Sequence, residues 1–197
     1  MNLKKRFNLI EEYKKSFLYL KEVKNYIYWI IGIFFLFMLI GIFIPAPEFV
    51  SKYLLEYIQE LLEITKDFGF KEMFGFIFFN NLKSSFVGLA LGILAGIIPV
   101  WGALSNGYVL GFVSSMVVSE KGANILWKLI PHGIPELAAI FISLGMGLNL
   151  GICLFKKKDR LNSFRNNFKK ALKVFFLIVL PLLLIAAVIE SFFMFFV

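Results

Sequence analysis

The residues with chemistry to offer are few, because most of this chain is apolar. Glu136 stands in Ile130-Pro131-His132-Gly133-Ile134-Pro135-Glu136-Leu137, and His132, the single histidine, lies four residues before it. Glu190 stands in Ala187-Val188-Ile189-Glu190-Ser191. Asn80, Asn81 and Lys83 follow Phe76-Ile77-Phe78-Phe79, and Asn106 lies in a further apolar run. Ionisable groups in such surroundings are costly and mark ion paths, proton relays or pairing sites. Lys83 is the natural cation for one carboxylate. His132 could donate to the other, which would make its charge depend on pH. Glu136 falls in the first turn of an expected helix, where the backbone dipole favours an anion. His132, Glu136 and Glu190 are also the right types for three metal ligands, although their spacing is not that of a zinc-binding helix. The competing reading of the whole set is a satisfied structural network, with His132 as a cap.

These groups must be held by helices in a membrane. Of the 197 residues, 59% are hydrophobic and 17% charged. A soluble domain has roughly 45–50% apolar and about 25% charged residues. The excess is more apolar surface than one soluble core can hide. It excludes a soluble enzyme, a disordered tail and a disulfide-stapled secreted domain. The fold class expected is all-α, a polytopic transmembrane helix bundle forming one domain over 1–197. Cys153, the lone cysteine, has no internal partner and lies in an apolar run, so it reads as a buried thiol. No phosphate-binding loop, dinucleotide glycine fingerprint, serine–histidine elbow or nucleic-acid motif occurs, so neither a cofactor nor nucleic acid is expected.

A bilayer core takes about 20 apolar helical residues. The runs 26–44, 134–155 and 174–197 fit, and Pro181 predicts a kink in the last. Between them lie two shorter, glycine-rich runs, 84–99 and 102–118. Gly88, Gly92 and Gly96 are four apart and form one stripe of small residues, and Gly107 and Gly111 of the second run are expected to serve helix packing as well. Such stripes let helix backbones approach closely in lipid. The short pair either spans, giving five spans, or forms a re-entrant hairpin buried in protein.

Basic residues set orientation. Lys4, Lys5, Arg6, Lys14, Lys15, Lys21 and Lys24 precede the first span with no small-residue cleavage motif after it, so no signal peptide is expected. Lys156, Lys157, Lys158, Arg160, Arg165, Lys169, Lys170 and Lys173 crowd the segment 156–173. Both segments are expected in the cytoplasm of a plasma-membrane protein, against anionic headgroups, which also accounts for the net charge of +8. The segment 45–82 has three lysines against six acids and is expected outside, as is the C-terminus. Residues 8–24 and 160–173 are basic and amphipathic. They are expected on the inner membrane surface, or packed on each other or on a partner. Residues 47–66 form a third amphipathic helix, with Val50, Tyr53, Leu54, Tyr57, Ile58, Leu61 and Leu62 on one side and Glu56, Glu60, Glu63 and Asp67 on the other. Its acidic side suits protein contact, either with its own bundle or across a dimer. In this topology Asn80, Asn81, Lys83, His132, Glu136 and Glu190 all fall toward the outer leaflet.

At these residues the chain resembles the stage II sporulation protein M family of integral membrane proteins. The strings carrying the resemblance are Pro131-His132-Gly133-Ile134-Pro135-Glu136 and Gly145-Met146-Gly147-Leu148-Asn149-Leu150-Gly151, with Asn80 or Asn81, Asn106-Gly107, Gly111 and Glu190. It runs from about residue 75 to the C-terminus. It implies a multi-span protein without an established catalytic activity, acting as a scaffold for cell-envelope remodelling partners. In spore formers those partners are enzymes that degrade the cell wall.

Three functions follow as expectations. The first is a scaffold, homo-oligomeric and most simply a dimer, with envelope proteins as partners. The second is a small transporter or channel-like protein using the buried carboxylates. The third, ranked last, is an intramembrane enzyme with His132 and Glu136 as acid and base.

Overall fold

A computed structural model describes residues 8–122, 130–155 and 160–196, and the described residues form helices with no strand. Seven α-helices follow one another: α1 (Leu9–Phe43), α2 (Glu48–Thr65), α3 (Phe70–Ala90), α4 (Ile97–Lys121), α5 (Ile130–Cys153), α6 (Arg160–Val174) and α7 (Leu180–Phe196). A 3₁₀ turn, Leu91–Ile93, extends α3, and a π-helical turn, Phe175–Val179, joins α6 to α7. Five stretches are long and apolar enough to cross a membrane: Leu9–Phe43, Phe70–Ile93, Ile97–Glu120, Gly133–Cys153 and Arg160–Phe196.

The short glycine-rich pair is therefore two full-length helices. Each has 24 residues, about 36 Å at 1.5 Å per residue, which exceeds a hydrocarbon core of about 30 Å. The first begins at Phe70, well before Ser84, so Asn80, Asn81 and Lys83 lie within the helix and not ahead of it. The reversal is made by Leu94-Ala95-Gly96. Ala95 (φ 57°) and Gly96 (φ 75°) are both left-handed, and Gly96 N–H donates to the Gly92 carbonyl at 2.9 Å. Pro99 then sits in the first turn of α4, where its missing N–H breaks no helical bond.

The amphipathic stretches before the first and last spans are continuous with those spans. Neither Lys24-Asn25-Tyr26 nor Lys173-Val174-Phe175 contains a helix breaker. α1 accordingly runs unbroken from its N-cap Asn8, whose Oδ1 accepts from Ile10 N–H at 3.1 Å, to Ile44 before Pro45. At Pro181 the ring carries no N–H, and the preceding turn widens to the π form.

α5 is the hub and the most buried of the five spans. α3 runs parallel to it, with Gly88 against Leu144, Gly92 against Gly147 and Gly96 beside Gly151. α4 runs parallel to α1, with Gly107 against Phe34 and Gly111 against Met38, while Gly41 faces the α4 backbone at Tyr108. Lipid offers no hydrophobic drive between helices, so this close backbone contact is what holds spans together. Two apolar clusters fill the rest. Ile30, Phe34, Ala103, Phe141 and Leu144 join α1, α4 and α5, with the Phe34 and Phe141 rings edge-on at 5.0 Å. Tyr19, Val23, Leu89, Ala139, Met146, Leu150, Ala171, Val174, Phe175, Val179 and Leu183 join α1, α3, α5, α6 and α7.

The early turns of α1 pack against α6. Lys170 pairs with Glu22 at 2.8 Å and lies 5.4 Å from the Tyr19 ring centre, while Lys173 pairs with Glu12. The Asn149 amide donates to the buried Tyr19 hydroxyl at 3.2 Å, tying α5 into the same junction. Lys173, and then Lys15, hold the Glu12 carboxyl below its ordinary range. This tie is complete at neutral pH and is lost as pH falls through that lowered value.

Candidate functional site

The site is built from one face each of α3, α5 and α7. α5 begins at Ile130, so Pro131 falls in its first turn, where proline is compatible with helix, whereas Pro135 lies inside the helix and its missing N–H removes one helical bond. Glu136 is the seventh residue, in the second turn and not the first as expected. α3 places Asn81 beside it, close enough for the Asn81 amide to interact with the Glu136 carboxyl. α7 and the π turn before it run antiparallel to α3, with Phe175 of the turn against Phe86 and Phe195 of α7 against Phe70. That register brings Glu190 near enough to Glu136 for the two carboxylates to interact electrostatically. Glu136, Glu190 and Asn81 are each half-buried.

Polar groups continue from this point along the same seam. Ser143, two turns below Glu136 on the same face of α5, donates to the Ser85 carbonyl at 2.7 Å. The Ser85 and Ser191 hydroxyls are buried and have no hydrogen-bond partner among the described residues. Toward the other end of α5, Asn149 meets Tyr19, and the Asn167 amide contacts the buried Cys153 Sγ at 3.4 Å. Tyr19, Ser143, Asn149 and Asn167 are polar positions that sequence reasoning missed. Asn149 stands inside a glycine-rich motif, and only the fold shows that its amide bonds across to α1.

Not all of the expected residues meet. Lys83 and Asn80 are exposed on the outer face of α3, lining a groove there, and Lys83 has no ion pair among the described residues. Lys83 is therefore not the counter-cation of Glu136 or Glu190. Helical geometry separates them: Asn81 and Ser85 face inward, and positions 80 and 83 fall on the far side of the same helix. Asn106 is exposed on α4, and its amide donates to its own-helix Gly102 carbonyl at 2.7 Å. His132 belongs to the first turn of α5, and its side chain lies outside the described residues. Among the described residues no three histidine, cysteine, aspartate or glutamate side chains gather in a metal-holding group.

The arrangement puts two carboxylates in low dielectric with an amide beside one of them. Ionisable groups within spans are costly, and such a pair can serve packing, proton exchange or cation binding.

No curated protein and no solved structure matches the chain significantly. The family model described as Stage II sporulation protein M matches residues 30–193, a range that reaches all five spans and includes Asn81, Glu136 and Glu190, and the chain belongs to that family of sporulation-associated, multi-pass membrane proteins.

Proposed function

We propose that the chain is a membrane-embedded assembly platform that organises cell-envelope remodelling proteins, as a single domain with its basic segments in the cytoplasm and α2 outside. The observation that carries this reading is α2. The helix leaves α1 through the rigid Pro45-Ala46-Pro47 turn and buries Leu54. Its Ser51 and Leu55 line a cleft of about 430 Å³ with residues 41–46 and with Phe112, Ser115, Met116 and Ser119. Val50, Ile58 and Leu61 are half-buried, while one aromatic edge is uncovered: Phe49 is 76% exposed and Tyr53 67%, with Tyr57 one turn further along the same edge. Beside that edge stand Glu56, Glu60 and Glu63, which anionic headgroups would repel. An aromatic edge with an acidic border suits a protein partner better than a lipid surface.

The double variant Phe49→Ser/Tyr53→Ser tests this. It should keep the melting temperature of the parent in detergent, because neither side chain is part of the core. Recovery of co-purifying envelope enzymes from native membranes should fall about ten-fold or more, as for a central aromatic contact. Unchanged recovery would remove α2 as the contact.

A second reading is favoured by the Glu136–Glu190 pair. Two carboxylates on the seam of three spans suit a protein that moves protons or cations, and the family's glycine-rich hairpin would then line the path.

A further inference from the structure

We propose that the cleft between the early turns of α1 and the last turns of α6 is a discrete site for the phosphate of one anionic lipid. The site is independent of the assembly reading and lies at the other end of α1 from α2.

The cleft has a volume of about 340 Å³, and four lysines line it: Lys15 of α1 and Lys169, Lys170 and Lys173 of α6. Each ammonium carries three N–H donors. Lys170 is paired with Glu22 at 2.8 Å, Lys173 with Glu12, and Lys15 with Glu11 and Glu12. Lys170 and Lys173 thus keep donors to spare, and both are half-exposed. Lys169 is exposed and has no ion pair or hydrogen bond among the described residues. Glu22 is the one acid on the lining, and Lys170 already holds it. Over 8–24 and 160–174 the two helices carry nine basic side chains against three acidic ones. The internal bridges therefore leave a positive face that draws an anion.

The cleft is also built. The Tyr19 ring lies 5.4 Å from the Lys170 ammonium, and the Asn149 amide holds the buried Tyr19 hydroxyl. Ser16 belongs to the same lining and is 3% exposed, and its hydroxyl has no hydrogen-bond partner among the described residues. A buried donor of this kind costs free energy until an acceptor reaches it, and a phosphate oxygen is one.

Two charge boundaries make the anion a lipid. α1 has no charged residue after Lys24, and none occurs between Lys173 and Glu190. The Lys170–Glu22 bond sets these two boundaries level with each other. A phosphate beside Lys170 and Lys173 is then within a turn of the point where both helices become wholly apolar. Leu18 lines the cleft and is 58% exposed, and Phe17 next to it is 56% exposed. A free anion gains nothing from that apolar rim, whereas a lipid covers it with its glycerol and first methylenes. Basic pockets between helices at the membrane surface take anionic headgroups in this way.

The test uses the full chain, delipidated in neutral detergent, with native mass spectrometry counting bound lipid. Phosphatidylglycerol should be retained as a single copy, about ten-fold more tightly than phosphatidylcholine, the worth of one or two lysines at a headgroup. Lys169→Gln should weaken its retention about five-fold, the worth of one. The same variant should melt with the parent, since Lys169 bonds to nothing among the described residues. Lys14→Gln removes the same charge from an exposed position outside the cleft and should leave retention unchanged. Inorganic phosphate added at constant ionic strength should not displace the lipid. Equal losses at Lys14 and Lys169 would overturn the proposal, because attraction would then be spread over the surface. Equal retention of the two lipids would overturn it as well. Displacement by inorganic phosphate would give the cleft to a free anion and overturn the lipid as its occupant.

Discussion

Gly92→Ala is expected to open the bundle at its centre. A Cβ at Gly92 would overlap the Gly147 carbonyl, which belongs to the backbone of α5 and cannot rotate aside. The contact is reciprocal: a Cβ at Gly147 would meet the Gly88 carbonyl, and one at Gly151 would meet the Gly96 amide. Separating α3 from α5 would also disturb the Ser143–Ser85 bond, 2.7 Å long, and the Asn81–Glu136 pair. Gly92→Ala and Gly147→Ala should each cost on the order of 3 kcal/mol, the upper range of overpacking. Gly32→Ala is the matched control, because nothing lies within 4 Å of its Cβ position, and it should be neutral or slightly stabilising. Thermal unfolding in mild detergent reads all three. Parent-like melting of Gly92→Ala would mean that α3 does not lie on α5 through its glycines.

The second large effect is expected at the carboxylates, and it separates architecture from transport. Glu136→Ala removes the group beside the Asn81 amide, which is half-buried, and should destabilise by about 1 kcal/mol. Glu136→Gln keeps an amide for Asn81 and removes a charge that repels Glu190. Glu136→Gln/Glu190→Gln should thus be at least as stable as the parent, because no ion is then held in low dielectric. On the platform account the double variant still assembles with its partners. On the transport account it is well folded yet silent when proton or cation flux is measured in liposomes where the parent is active. A double variant that fails to fold would contradict both, since it would require the charges themselves for packing.

The sequence shows some elements of this fold plainly and hides others, for physical reasons. The runs 26–44, 134–155 and 174–197 are visible because lipid demands long uninterrupted apolar segments. The stripe Gly88, Gly92, Gly96 is visible because spacing of four puts small residues on one side of a helix. The true start of α3 is hidden. Asn80, Asn81 and Lys83 lower the local hydropathy and read as an edge, whereas the helix carries them in its middle, Asn81 turned in and the other two turned out. The union of the amphipathic stretches with their spans is hidden as well. Charge density changes at Lys24 and Lys173, but nothing there breaks a helix. The convergence of Asn81, Glu136 and Glu190 needs the register of three helices, which hydropathy carries only to within a turn or two. Of the residues expected to meet, Lys83, Asn80 and Asn106 are carried away by the 100° step between successive helical positions.

The platform account is tested most directly by photo-crosslinking from α2 in living cells, with a photoreactive residue in place of the exposed Tyr53. The account predicts adducts with enzymes that remodel the cell envelope, lost when the probe is moved to the buried position of Leu54. Adducts with lipid alone, or with a second copy of the chain alone, would contradict it.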